Sequence, residues 1–117
     1  MTKEIGKDAE EAAASYLKSR GYRILHKNLS FIYGELDLVA LDGETVVFVE
    51  VKYRKNLDHG FPFEAVTKSK QKKIIMAANT YLAKYASLPA CRFDVVSMHG
   101  ELSKPTIDHI IDAFWAE

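Results

Sequence analysis

Four ionisable side chains stand where hydrophobic strands should carry none. Glu35 and Asp37 lie in the run Gly34-Glu35-Leu36-Asp37-Leu38-Val39-Ala40-Leu41. Glu50 and Lys52 lie in Val46-Val47-Phe48-Val49-Glu50-Val51-Lys52. Between the two runs sits Asp42-Gly43, a dipeptide suited to a tight hairpin turn. If Asp42 and Gly43 alone form the loop, Glu35 faces Glu50, and Glu50 lies diagonal to Asp37. A four-residue loop instead sets Asp37 directly opposite Glu50. Period-two alternation places all four charged groups on one sheet face in both registers. A three-residue loop would divide them between the faces.

Three carboxylates crowded on one face repel one another, and one lysine cannot neutralise them all. Such groups raise each other's pKa or recruit a cation. A donor set of oxygens, with no thiol or histidine cluster, favours a hard ion, Mg²⁺ or Mn²⁺. The competing reading is an ion-pair network on a solvated face. Val46 to Val51 argues against it, because that run is apolar on both sides and reads as a covered central strand.

The elements that must position these groups follow from periodicity. Lys3 to Arg20 reads as an amphipathic helix with Ile5, Ala9, Ala12, Ala13, Tyr16 and Leu17 on its apolar stripe and Gly21 as its cap. Glu10 falls at the edge of that stripe and can look into a site on the sheet, whereas Glu11 points to solvent. Tyr22 to Leu29 suggests a strand in which Tyr22, Ile24 and His26 share a side. Lys55 to Phe63, with Gly60 and Pro62, reads as a loop; His59 within it is expected to be exposed or structural.

A second helix is expected from about Thr67 to Ala86, burying Ile74, Ile75, Ala78, Tyr81, Leu82 and Tyr85. Lysines 68, 70, 72 and 73 crowd its start, where the dipole is already positive, so a phosphate is a natural counterion there. Lys70 and Gln71 prolong the buried stripe and should aim at the sheet; Lys72 and Lys73 should point away. Arg92 to Met98 is a further strand, in which Asp94 reads as a paired structural charge. From Pro105 the tail is ambiguous, because Ile107, Ile110, Ile111, Phe114 and Trp115 suit a helix face while Ile107-His109-Ile111 alternates.

The chain of 117 residues, 48% hydrophobic and 27% charged, is expected to form one domain, residues 1–117. Its formal net charge is zero, so no whole-protein basic field draws in nucleic acid. The single cysteine, Cys91, excludes an internal disulfide and reads as a small core residue. No signal peptide or membrane-length apolar run is visible, which makes the cytoplasm the default location.

With these elements in order, Asp37…Glu50-Val51-Lys52 resembles the PD-(D/E)XK nuclease superfamily. More closely, the chain is similar to the YraN-like bacterial family. The resemblance rests on Glu10-Glu11-Ala12 with Tyr16-Leu17, Gly34 to Leu38, Phe48 to Arg54, Gly60, Pro62, Lys70-Gln71 and Arg92 to Val96. It departs from the superfamily pattern at Leu36, where a proline is usual, and Ala9 stands where the family often has glycine.

The resemblance implies an α/β (α+β) restriction-endonuclease-like core, a central mixed sheet flanked by helices. It is also similar to archaeal Holliday junction resolvases, which share the helix glutamate. It further implies a Mg²⁺- or Mn²⁺-dependent endonuclease acting on DNA, branched or structured DNA included. Asp37, Glu50 and the Val51 carbonyl would hold the metal, with Glu10 completing the shell and Glu35 supporting it. Lys52 would act on the attacking water or the developing charge, while Lys70, Gln71 and Arg54 would steady phosphates. A symmetric homodimer is implied by the same resemblance. A non-catalytic nucleic-acid-binding module on the same scaffold, or a protein-interaction domain, are the competing expectations.

Overall fold

The computed structural model describes residues 3–115. Helix α1 (Lys3–Ser19) is followed by β1 (Arg23–Phe31), β2 (Gly34–Asp42) and β3 (Thr45–Arg54). A short 3₁₀ turn (Pro62–Ala65) leads into α2 (Lys68–Leu82), then β4 (Cys91–His99) and β5 (Thr106–Phe114). The five strands form one sheet in the order β1-β2-β3-β4-β5. Every neighbouring pair is antiparallel except β3 and β4, which run parallel because α2 carries the chain back across the sheet. This is the expected α+β architecture, compatible with a restriction-endonuclease-like core. Among the described residues no helix is long and apolar enough to cross a membrane.

Each helix covers one face. Ala9, Ala13, Ala14 and Leu17 of α1 pack with Leu38, Ala40, Val47, Val49, Val51, Val96 and Met98. Ile74, Ala77, Ala78, Tyr81 and Leu82 of α2 pack with Val39, Val46, Phe48, Phe93 and Val95 on the opposite face. Central β3 is therefore buried on both sides from Val46 to Val51, as its unbroken apolar run requires. α1 stops at Gly21, whose φ of +89° is costly for any residue with a Cβ. There the Gly21 N–H bonds to the Lys18 carbonyl and the Tyr22 N–H to the Leu17 carbonyl, the paired closure of a Schellman cap.

Several expectations need correction. β1 is bulged between Ile24 and His26. Ile24 packs on the α1 side, but Leu25 joins the α2 side and His26 packs edge-on against Tyr81 of α2. The extra residue of a bulge is what breaks simple alternation. α2 ends at Leu82, four residues before the expected Ala86; the Ala83 N–H makes the last helical bond, to Asn79, and the Tyr85 N–H closes a tighter turn on the Leu82 carbonyl. The tail is a strand. Its apolar residues fall at helix-like intervals because β5 serves both faces, Ile107 on the α1 side and Ile110 and Phe114 on the α2 side. Cys91 is exposed at the start of β4, where the sheet has not yet entered the core.

Asp94 fulfils its structural reading. It is wholly buried and accepts from Arg92 Nε at 3.0 Å and from the Asp112 N–H at 3.0 Å, and it contacts His109 Nε2 at 2.8 Å. Arg92 also reaches Asp42 and the Tyr22 hydroxyl. The Asp112 N–H is available because Asp112 takes a left-handed φ of +58° in a second bulge, which re-aims the backbone.

Candidate functional site

The carboxylate cluster is set by the β2–β3 register. Leu38 pairs with Val49 and Asp42 with Thr45, so the turn is Gly43-Glu44 and Asp37 comes level with Glu50. That is the pairing expected of the longer loop, tightened by one extra pair at its mouth. Beyond Leu38 the strand changes character. Leu36 packs in the α2-side core and Leu38 in the α1-side core, so alternation fails at Asp37 between them. The Asp37 carboxylate takes the place of a ladder carbonyl, its Oδ2 accepting the Val51 N–H at 2.8 Å. One main-chain bond thus fixes an acid at the seam of the two strands.

Around that acid the chain brings together groups from five elements, α1, β1, β2, β3 and α2. Glu10 from α1 joins Glu35 and Asp37 so that one oxygen of each lies within 4.8 Å of the others. Glu10 Oε1 is itself held by Asn28 Nδ2 at 2.7 Å. Asn28 has φ +54°, a left-handed conformation that asparagine tolerates better than most residues. Glu11, by contrast, turns outward to Lys27 at 3.0 Å, as its helical phase requires. On the α2 side a cavity of about 230 Å³ is lined by Glu35, Asp37, Glu50, Lys70 and Lys73. A second, on the α1 side, is lined by Lys3, Lys7, Glu10, Asn28 and Glu35. Glu35 borders both.

Electrostatics at the cluster follow from burial. Burial, a hydrogen bond shared with Asp37 and the Asp37 charge push the Glu50 carboxyl up to about 9, against the pull of Lys52 and Lys70. Lys52 Nζ lies 3.8 Å from Glu50 Oε1, and both side chains are largely buried. Partial burial, together with Asp37 and Glu35, also raises Glu10 despite its Asn28 bond. The neighbouring Lys52 ammonium, then burial, lowers Lys70. An acid raised in this way costs the fold stability whenever the unfolded chain would ionise it. Between the unfolded glutamate value and about 9 the folded state binds the extra proton, so stability falls as pH rises through that window. Glu50→Gln should therefore raise stability at pH 8 by on the order of 2 kcal/mol and flatten its pH dependence. Urea unfolding at pH 5.5 and pH 8 reads both changes, and equal slopes with pH in the two proteins would count against this account.

Comparison with protein families matches residues 9–98 to the family described as "Uncharacterised protein family UPF0102". The chain belongs to the UPF0102 family. A UPF0102 protein of Chlorobium chlorochromatii is 48% identical over 99% of this chain and 95% of its own length. UPF0102 proteins of Symbiobacterium thermophilum (48% identical over 84% of each chain) and Geobacter metallireducens (47% over 96% of this chain and 93% of the relative) are also similar to it. The YraN-like resemblance is borne out at the level of family. The matched segment contains all four acids of the cluster with Lys52, Lys70 and Lys73, and it ends one residue short of the end of β4.

Two groups expected near phosphates are engaged elsewhere in this UPF0102 fold. Gln71 Nε2 donates to the Val66 carbonyl at 3.1 Å and lines a different cavity, with Met76 and Trp115. Arg54 Nη1 donates to the carbonyls of His59 and Gly60 and so pins the loop after β3. Lys73, expected to point away, lines the carboxylate cavity instead. The cause is a rotated face: Ala77 rather than Ile75 centres the buried stripe of α2, and Lys73 lies one turn before Ala77. Asn28 and Lys73 are the site residues that sequence reasoning missed. Asn28 carried no signal beyond a polar residue inside a strand.

Proposed function

We propose that this chain is a metal-dependent nuclease that hydrolyses phosphodiester bonds in DNA, branched or structured DNA included. The observation that carries the reading is convergence: Glu35, Asp37 and Glu50 line one cavity with Lys70 and Lys73, Lys52 abuts Glu50, and Glu10 reaches the same acids from the opposite helix. The donor set is all oxygen, with Glu10, Glu35 and Asp37 each offering a carboxylate oxygen within 4.8 Å of the others, which fits a hard divalent ion such as Mg²⁺ or Mn²⁺.

Asp37 and Glu50 would hold that ion, with the Val51 backbone beside them and Glu10 acting through water, since Mg²⁺ gives up its hydration reluctantly. When bound, such an ion polarises the scissile phosphate and acidifies the water it holds. The protein's own groups supply position and charge. Lys52, within 3.8 Å of Glu50, orients the attacking water and balances negative charge as the phosphorane develops. Lys70 and Lys73 meet non-bridging phosphate oxygens without reading bases. Glu35 keeps Asp37 and Glu10 in a common negative field.

The test is cleavage of supercoiled, nicked, single-stranded and three-way-junction DNA in Mg²⁺, Mn²⁺ and EDTA, with Asp37→Asn alongside. Wild type should cut at least one substrate only with a divalent ion, and the variant should lose roughly 10³-fold in rate. Salt-dependent binding with no cut product would move the chain to a non-catalytic binding module.

A further inference from the structure

The β1–β2 turn breaks the ordinary rule for two-residue loops. Phe31 pairs with Gly34, so Ile32 and Tyr33 are the whole loop. Such positions usually hold glycine, asparagine or aspartate, which satisfy turn geometry and tolerate water. Here a β-branched aliphatic and an aromatic residue stand 94% and 62% exposed. The preceding Phe31 packs toward the α2-side core, so the turn contributes nothing further to burial.

The position of the turn gives this exposure a use. Gly34 and Glu35, the next two residues, line the α2-side cavity with Lys70 and Lys73. Ser30 and Glu35, one at each root of the same hairpin, line the α1-side cavity with Lys3 and Lys7. The apolar tip therefore rises between two troughs, each carrying a pair of lysines. Its root is held firmly: a Cβ on Gly34 would sit 3.0 Å from the Lys73 carbonyl oxygen, so hairpin and helix are in close contact there.

We propose that Ile32 and Tyr33 form a wedge that enters the base stack of paired DNA beside the phosphate held over the carboxylates, parting the two strands into the two lysine-lined troughs. The inference rests on the nuclease reading and adds to it a way of opening base-paired DNA at a branch, nick or end. Apolar side chains between base steps unstack them because the exposed base faces offer the only apolar surface available. The lysines on both sides suit the two separated backbones.

The experiment uses a three-way DNA junction with 2-aminopurine at the branch point, and the full-length Ile32→Ser/Tyr33→Ser double variant. Binding is read in EDTA and cleavage in Mn²⁺. Wild type should raise 2-aminopurine fluorescence roughly threefold on binding, and the double variant should not. The variant should bind within roughly threefold of wild type, cut single-stranded DNA within about twofold, and cut the junction at least about tenfold more slowly. Equal fluorescence gain in both proteins overturns the wedge, as does an equal loss of cleavage on single-stranded and junction DNA. A wild-type dimer that becomes a monomer in the variant, with unchanged fluorescence, assigns the tip to a second copy and also overturns it. Wild type that unstacks the junction but cuts nothing leaves the wedge standing and removes the catalytic reading.

Discussion

Lys52→Ala is expected to slow DNA cleavage by roughly 10³-fold while leaving the fold and divalent-ion binding in place. Lys52 sits on central β3 with its side chain largely buried, and its ammonium, 3.8 Å from Glu50, favours the charged form of that acid against burial and Asp37. Removing the ammonium takes charge compensation out of a site that already holds three other carboxylates nearby. It does not remove an oxygen donor. Single-turnover rates should therefore collapse, while the Mn²⁺ affinity changes by less than about threefold. Lys52→Arg should recover only part of the rate, because a planar guanidinium cannot occupy the position of a compact ammonium. A variant that binds Mn²⁺ and cleaves as fast as wild type would show that Lys52 is no part of the chemistry.

The second large effect concerns stability alone. Asp94→Ala should cost about 3–5 kcal/mol, because it leaves the Arg92 guanidinium, the His109 ring and the Asp112 N–H without their buried acceptor. Urea unfolding at pH 7 reads the loss, and a change under about 1 kcal/mol would show that the network is replaceable by water. Burial alone would raise the Asp94 carboxyl, but His109, Arg92 and the Asp112 N–H outweigh it and hold the group below its usual value. Its stabilising contribution is therefore complete above the unfolded aspartate value and is lost as pH falls through the depressed folded one. Acid unfolding should accordingly begin earlier in the variant only if other carboxylates share that role.

Much of this was legible in the residues. The two β-branched runs around Asp42-Gly43 fixed a hairpin, and the fully apolar β3 announced a strand covered on both sides. Glu10 and Glu11 separated by helical phase alone, one toward the acids and one toward Lys27. What sequence could not carry was broken periodicity. The bulge after Ile24, the change of face at Asp37 and the left-handed Asn28 and Asp112 all alter direction without altering composition. Asp37 illustrates the cost of that blindness. Alternation grouped it with Glu35 and Glu50, yet its bond to the Val51 N–H sets it at a seam between strands that no pattern of apolar residues encodes. Lys73 and Gln71 exchanged roles for a similar reason: small Ala77 packs closest to the sheet, whereas hydrophobicity ranking favours Ile75 as the centre of the face.

Whether the four acids form a metal site is the point on which the functional reading turns. The most direct measurement is an anomalous difference map at the manganese edge from crystals of the wild-type protein soaked in Mn²⁺. A peak within bonding distance of the Asp37 and Glu50 carboxylates, lost in Asp37→Asn crystals, is the expected result. A fully soaked crystal with no peak there, or with manganese bound only at other surface acids, would contradict the account.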